Sequence, residues 1–318
     1  MKVAIGIDGS ELSYQAVRFT SKLLSPRVDD LLLFFSPPEF HLASKTPLPD
    51  EVLKSAAWAL AAGVFDNAVN CLSPELQDIT STMRSDRLPA DGLVELAEKE
   101  DVDLVVVGSV SAKRKFPYLL GSTARSIIHN TDKPVLVVRG EKAVAKGAMK
   151  VLVACDRDRW VDATGVLRDF SWPDGTEATL FHVVEAYGDK FVESLLEHGS
   201  SRVPNSVQMV EEYRQAIERQ KSEFAEHIKS LKDSGPTLIR DADIEVLQGD
   251  VVEEIVAKVE QMDADLLVVS SRKLSTIGRM LGSVTESLLT RCPCSILIVH
   301  DQEISDKTAP AGAKEQLA

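Results

Sequence analysis

Glycine and hydroxyl residues follow the apolar segment Leu104–Val107 in an arrangement that suits phosphate binding. Gly108 ends the segment, and Gly121-Ser122-Thr123 closes the loop that comes next. A glycine just past a strand lets backbone approach a ligand closely. Ser122 or Thr123 would cap the following helix, whose free N–H groups and positive dipole end attract anions. We therefore predict a strand, an anion-binding loop and a helix start, in that order.

An acidic residue is expected to face this loop. Asp8 comes directly after the first predicted strand, Lys2–Ile7. In a doubly wound parallel sheet, ligands bind beyond the carboxyl ends of the strands, where the strand order reverses. With the order 3-2-1-4-5 the reversal lies between strands 1 and 4, so Asp8 and Gly108 face each other. Such a carboxylate can accept a hydrogen bond from a ribose hydroxyl or a base amino group.

The same pattern occurs twice in the chain. Asp103–Val107 matches Asp265–Val269 at an offset of 265 − 103 = 162, and the later Gly-Ser pairs match at 282 − 121 = 161. Asp156 matches Asp8 at 156 − 8 = 148, and we expect the second strand, Leu180–Val183, to keep that offset. The second copy therefore gains about 162 − 148 = 14 residues, which we assign to the segment 188–232. A duplication with a long period indicates two copies of one folding unit.

Apolar, β-branched segments alternate with segments of helical periodicity in both copies. This alternation predicts an α/β protein of two tandem, doubly wound, Rossmann-like domains. Each domain is expected to be a five-stranded parallel sheet of order 3-2-1-4-5 with helices on both faces. We predict domains at residues 1–140 and 150–300, a linker at 141–149 and a disordered tail at 301–318.

Composition excludes several classes of function. A formal net charge of −13 argues against nucleic-acid or anionic-membrane binding, because both need a basic surface. No apolar run reaches ~20 residues and no signal-peptide core is visible, so we expect a cytoplasmic protein. The sequence requires no metal, because Cys292-Pro293-Cys294 has no visible partner cluster. We find no catalytic pair of carboxylates, no Walker A motif and no Ser-His-Asp order, and we therefore predict no catalytic residues.

The residues discussed above resemble those of the universal stress proteins, and in particular of the tandem type with two such domains in one chain. The resemblance covers all but the tail and rests on motifs in both copies: Ile7-Asp8-Gly9-Ser10, Gly108 to Ser122, Lys133–Val138, Phe181–Glu185, Gln248-Gly249-Asp250, Gly282-Ser283-Val284 and Cys292–Val299. It implies a role in the stress response. It also implies that Pro134–Val138 and Ser295–Val299, the fifth strands, lie side by side as an intramolecular pseudo-dimer.

The resemblance further implies an ATP site in the first copy. ATP-binding members carry a loop of the form G-x2-G-x9-G-(S/T), and this chain supplies Gly108, Ser111 in place of the second glycine, and Gly121-Ser122. The adenosine contact falls to Asp8, and Thr123 completes the predicted nucleotide-binding set. Bound ATP would act as a regulatory ligand, and any hydrolysis would be slow and incidental.

The second copy departs from this loop. Ser270 and Lys273 replace the first two glycines, so we expect no ATP site there, although Arg272, Lys273 and Arg279 could hold another anion. Three alternatives stay open. The chain is a protein-interaction module without nucleotide binding, or its enlarged second half binds a different small ligand, or it is an adenylating enzyme of the wider superfamily. The last ranks lowest, because its phosphate motif is absent. Association of two chains is also left open.

Overall fold

The computed structural model describes residues 1–24, 30–37, 50–109, 120–140, 147–156, 160–185, 206–271 and 281–300. The first half contains β1 (Lys2–Ile7), α1 (Glu11–Leu23), β2 (Asp30–Phe35), α2 (Asp50–Val69), α3 (Pro74–Gln77), β3 (Thr80–Arg84), α4 (Pro89–Lys99), β4 (Leu104–Gly108), α5 (Ser122–Asn130) and β5 (Val135–Val138). The second half contains β6 (Lys150–Ala154), α6 (Trp160–Asp169), β7 (Glu177–Glu185), α7 (Ser206–Lys232), α8 (Thr237–Arg240), β8 (Asp243–Gly249), α9 (Val251–Met262), β9 (Leu266–Ser271), α10 (Ser283–Arg291) and β10 (Ser295–His300).

The strands form one ten-stranded sheet in the order β3-β2-β1-β4-β5-β10-β9-β6-β7-β8. Each half therefore has the expected order 3-2-1-4-5, with parallel neighbours throughout. Strand β5 pairs with β10 in antiparallel fashion and joins the two five-stranded halves into one sheet. An unpaired apolar edge strand exposes a row of backbone donors and acceptors, and this pairing covers both edges.

Both faces of the sheet are buried under helices, as its continuously apolar strands require. In β1, the side chains of Val3, Ile5 and Ile7 pack into the cluster that contains α1 and α2. Ala4 packs into the opposite cluster, with α4 and α5. The period of two in a strand thus assigns alternate residues to the two layers. No helix in the described part of the chain is long and apolar enough to cross a membrane.

A local two-fold axis passes through the junction of the halves. Leu136 of β5 lies opposite Leu297 of β10. These two residues are also equivalent in the repeat, since 297 − 136 = 161 is the offset of the two Gly-Ser pairs. Equivalent residues that face each other in antiparallel strands are related by a two-fold axis that passes between them. The duplication in sequence is therefore also a rotational symmetry of the central sheet.

The same axis pairs two residues of opposite charge. Arg125 of α5 and Glu286 of α10 are equivalent, since 286 − 125 = 161. The Arg125 Nη1 donates to Glu286 Oε2 at 2.9 Å, and His129 Nε2 lies 2.8 Å from Glu286 Oε1. One position of the repeat thus carries a cation in the first copy and an anion in the second. Two identical copies would instead bring like charges together here.

Arg139 makes a second, buried contact between the halves. Its backbone N–H donates to Ser295 Oγ at 3.1 Å, and its Nη1 donates to the Cys292 carbonyl at 2.8 Å. Its Nη2 donates to the Leu289 carbonyl. The guanidinium therefore satisfies carbonyls at the C-terminus of α10, where the helix dipole favours a cation. Burial lowers the pKa of Arg139 from its high ordinary value.

The register of β7 differs by one residue from the expected offset. Lys2 pairs with Asp30 and Lys150 with Glu177, so the second strands match at 177 − 30 = 147 and not at 148. His182 thereby takes the place of Phe35. The alternation of faces explains the correction, because Leu180 packs in the same layer as Leu33, and a slip of one residue would move it into the opposite layer.

Helix α7 accounts for part of the enlarged segment 188–232, and residues 188–205 lie outside the described residues. One face of α7 packs on the core, where Ile228 and Ile217 are buried and Phe224 and Leu231 are partly buried. The predicted tail 301–318 and residues 141–146 of the predicted linker also lie outside the described part.

We predict that Arg125→Glu lowers the free energy of unfolding by about 1 kcal/mol, because it replaces an attraction on the axis by a repulsion. The double variant Arg125→Glu/Glu286→Arg should recover most of this loss. Urea unfolding of the full chain measures both. Arg87→Glu is the control, since it reverses the same charge in an exposed pair with Glu95 inside one half. Equal losses for the two single variants, without recovery in the double variant, would contradict the prediction.

Candidate functional site

Asp8 lies exposed in the turn between β1 and α1. Its Oδ1 accepts a hydrogen bond from the Ser10 N–H at 2.9 Å, across Gly9, which has a φ of 80°. The Ser10 Oγ in turn accepts from the Ser13 N–H at 3.2 Å and caps α1. The Asp8 carboxylate therefore stabilises the turn with one oxygen and lies at the carboxyl edge of the sheet. The helix cap is Ser10.

Gly108 ends β4 beside this turn. Strands β1 and β4 are parallel neighbours, with Gly6 opposite Val107, so Asp8 and Gly108 leave the sheet together. A Cβ on Gly108 would lie 2.9 Å from the Leu12 carbonyl oxygen and 3.2 Å from the Ser13 nitrogen. Helix α1 thus begins directly against Gly108, and its first turn already explains why this residue is a glycine.

The N-terminus of α5 supplies backbone donors at the same edge. A helix that follows a parallel strand and returns to the next one begins at the carboxyl ends of the strands. Helix α5 begins at Ser122, with Gly121 as its N-cap in extended conformation (φ −65°, ψ 153°). The prediction that Ser122 or Thr123 caps the helix is wrong, because both lie in the first turn. They are exposed there, and first-turn N–H groups have no acceptor within their own helix.

Two parts of the predicted nucleotide loop lie outside the described residues. These are Ser111 and the basic segment Lys113-Arg114-Lys115. The described residues bring Asp8, Gly108 and the Gly121-Ser122-Thr123 segment to one edge of the sheet. Among the residues that the structure describes, that edge combines a carboxylate with the N–H groups and hydroxyls of a helix start, a set that can bind a polar ligand.

The second half has a cavity of about 800 Å³ at its corresponding edge. Strands β6, β7 and β9 end at it, and α7, α9 and α10 surround it. Its described lining residues are Ala154, Cys155, Asp156, Phe181, His182, Val183, Val184, Glu185, Gln220, Glu223, Phe224, His227, Val251, Ile255, Val269, Ser270, Gly282, Ser283, Val284, Thr285 and Leu288. The sequence-predicted anion residues Arg272, Lys273 and Arg279 lie outside the described residues.

His182, which lies within the Phe181–Glu185 motif of β7, lines this cavity. Its Nδ1 lies 2.7 Å from the Cys155 carbonyl, which accepts the hydrogen bond, and its ring stacks on Phe224 of α7 with centroids 3.3 Å apart. Burial raises the pKa of the Cys155 thiol far above its usual value, so this thiol is not a nucleophile at neutral pH. The sequence signal for this position is a histidine, a polar ring, within a strand of mostly apolar residues.

The two cysteines of the Cys292-Pro293-Cys294 motif are buried below α10. Burial raises the pKa of both thiols to about 12. Among the described residues, no three His, Cys, Asp or Glu side chains are grouped so that they could hold a metal ion.

Comparison with known proteins agrees with the resemblance seen in the sequence. The family model described as the universal stress protein family matches residues 1–139 and 174–300. The universal stress protein MJ0531 of Methanocaldococcus jannaschii is 29% identical over 149 residues, which cover 44% of this chain and 83% of that protein. MJ0577 of the same organism is 32% identical over 76 residues, 23% of this chain and 47% of that protein.

A solved structure shares the fold over nearly the whole chain. The universal stress protein from Archaeoglobus fulgidus DSM 4304 superposes with a TM-score of 0.59 at 18% identity, covering 94% of this chain and 98% of that one. The functionally unknown protein PA1789 from Pseudomonas aeruginosa PAO1 gives a TM-score of 0.50 at 15% identity, covering 94% and 92%. At such identities the likeness concerns the fold alone.

We predict that Gly108→Ala lowers the free energy of unfolding by about 1–3 kcal/mol, because the new Cβ collides with the backbone of α1. Gly63→Ala is the matched control, since Gly63 lies in α2 with no atom within 4 Å of an added Cβ. It should be stabilising by about 0.4–1 kcal/mol through its effect on the unfolded chain. Urea unfolding compares the two, and a neutral Gly108→Ala would refute the packing role.

Proposed function

The chain belongs to the universal stress protein family, and we propose that its first half binds ATP as a regulatory ligand at the carboxyl edge of β1 and β4. The observation that carries the proposal is the convergence of Asp8 and the start of α5 at that edge. The binding set comprises Asp8, Gly108, Ser111, Gly121, Ser122 and Thr123. We propose a cytoplasmic role in the stress response for the nucleotide-bound chain.

The chemistry of the edge assigns the two ends of the ligand. The N–H groups and hydroxyls of the first turn of α5 suit the phosphates, because the helix dipole is positive there. The exposed Asp8 carboxylate suits the adenosine end, where ribose and base offer hydrogen-bond donors. In this proposal ATP acts by being bound, because its binding changes the surface that the protein presents. Any hydrolysis of the bound ATP is slow and incidental.

A second candidate function is a protein-interaction module without nucleotide. It is favoured by the contact of Gly108 with α1, because that contact accounts for the glycine without any ligand. In either case we propose domains at residues 1–140 and 150–300 with a linker at 141–149. The β5–β10 pairing supports their description as an intramolecular pseudo-dimer.

We predict that calorimetric titration of the full chain with ATP gives one site, and that Asp8→Asn weakens it about tenfold. A hydrogen bond to a charged group contributes about 1.5–3 kcal/mol, and the amide keeps an acceptor for the Ser10 N–H while it removes the charge. Asp156→Asn is the matched control, because Asp156 follows β6 as Asp8 follows β1. It should leave the ATP isotherm unchanged.

Two outcomes would overturn the proposal. Absence of binding at millimolar ATP would favour the interaction module. Binding that survives Asp8→Asn and Asp8→Ala would place the nucleotide elsewhere in the chain. Thermal melts of each variant exclude loss of fold as the cause of lost binding.

A further inference from the structure

Strand β3 forms one end of the ten-stranded sheet, with β2 as its neighbour. The hydrogen bonds at the two ends of β3 show which of its backbone groups face β2. The Ile79 carbonyl accepts from the Leu31 N–H at 3.4 Å. The Ser85 N–H donates to the Phe35 carbonyl at 3.1 Å. In a parallel ladder every second residue bonds to a given neighbour, so the odd-numbered residues of β3 face β2.

The even-numbered residues of β3 direct their backbone groups away from the sheet. These residues are Thr80, Thr82 and Arg84, and their N–H and C=O groups point outwards along the edge. Ser81 and Thr82 are exposed, so this edge is open to solvent. A row of outward donors and acceptors is a template on which another strand can pair.

The side chains of β3 leave this edge accessible. Edge strands commonly carry prolines or charges that discourage pairing, whereas β3 has no proline and a single charged residue, Arg84. The Arg84 Nη2 donates to Asp86 Oδ1, and the Arg84 Cζ lies 4.8 Å from the centre of the Trp58 ring. The Arg84 side chain is only 15% exposed. Its guanidinium is therefore held against α2 and does not protect the strand.

Trp58 adds a large apolar surface beside β3. It is 63% exposed, and the Arg84 guanidinium covers one face of its ring. Tryptophan is enriched among the residues that contribute most to protein–protein binding, because its burial removes a large apolar area from water. The β3 edge, which we define as the outward backbone groups of Thr80, Thr82 and Arg84 together with Trp58, thus combines backbone pairing groups with an apolar anchor.

The opposite end of the sheet is protected by charge. Strand β8 carries Asp243 and Glu245, and Lys258 of α9 pairs with Glu245. Charged side chains on an edge strand oppose its pairing. One accessible edge in each chain permits a closed, two-fold dimer, whereas two such edges would permit an open filament.

We propose that the β3 edge pairs in antiparallel fashion with the β3 edge of a second copy of this chain, so that two sheets join into one. Charge complementarity supports this occupant. A two-fold axis through Ser81 pairs Thr80 with Thr82 of the second copy and brings Arg84 towards the exposed Asp78 of that copy. An axis through Thr82 would instead bring Asp78 towards Asp86, which is also an exposed acid. The β3 strand is therefore complementary to itself in one register. This proposal does not depend on nucleotide binding.

Sedimentation equilibrium of the full chain without nucleotide tests the proposal. The mass should rise with concentration from that of one chain to that of two. Thr82→Pro should weaken dimerisation about tenfold or more, because each copy loses one N–H that bonds to the other. The Thr82 N–H points away from β2, so proline removes no hydrogen bond of the single chain. Thr82→Val is the matched control, because it keeps the N–H and should leave the dimer intact.

Two further variants leave the backbone of β3 unaltered and keep the test independent of folding in Thr82→Pro. Asp78→Arg should weaken the dimer several-fold, because it opposes Arg84 of the second copy, and Asp66→Arg in α2 should not. Trp58→Ala should also weaken it, whereas Met209→Ala, which truncates an exposed apolar residue of α7, should not.

Three results would overturn the proposal. A chain that stays monomeric at every concentration would exclude the second copy and leave the edge to a strand of another protein. Equal dimerisation of Thr82→Pro and Thr82→Val would place the contact elsewhere. Equal effects of Asp78→Arg and Asp66→Arg would contradict the register. Asp8→Asn should dimerise like the unaltered chain, so failure of the ATP site and failure of the dimer are distinguishable.

Discussion

The antiparallel pairing of β5 with β10 is the interaction on which the rest of the structure depends. It joins two parallel arrays whose inner strands would otherwise be exposed apolar edges. It also fixes the two-fold axis, because Leu136 and Leu297 face each other there. The Arg139 guanidinium, buried beneath the junction, then ties the end of α10 to the first half. The halves are therefore held by backbone pairing, by a helix-capping cation and by a charge pair on the axis.

A common scaffold with two different edges follows from this arrangement. Both halves end their first and fourth strands side by side and begin a helix at the same edge. In the first half α2 lies close to the turn after β1, and Asp8 and the start of α5 remain at the edge. In the second half His182 replaces the phenyl ring of Phe35, and a cavity bordered by α7 lies beside it. The two halves therefore share the positions of their strand ends and helix starts, but the side chains at these positions differ.

Much of this could be predicted from the sequence. Repeated apolar segments with loop residues after them predicted the alternation of strands and helices in each half. The expected order 3-2-1-4-5 then predicted that Asp8 and Gly108 leave the sheet side by side. The cap of α5 was mispredicted, because Ser and Thr favour both the cap and the first turn, and only the extended backbone of Gly121 distinguishes them. The register of β7 was one residue off, because an offset counted along the chain cannot show which face a side chain takes.

The cavity was beyond prediction for a related reason. Its volume depends on how far α7 stands from β7, and helical periodicity specifies which face is buried but not the distance of the helix from the sheet. The role of Gly108 was equally hidden, since its close neighbour, the first turn of α1, is distant in sequence. Contacts between segments far apart in the chain determine both features.

Hydrogen exchange of the full chain with and without saturating ATP tests the central claim most directly, namely that one copy of the duplicated unit has kept the nucleotide edge and the other has not. The account predicts slowed exchange at the β1–α1 turn and at the start of α5, with no change at the ends of β6 and β9 or the start of α10. Protection at the second set of segments, or equal protection at both, would contradict it.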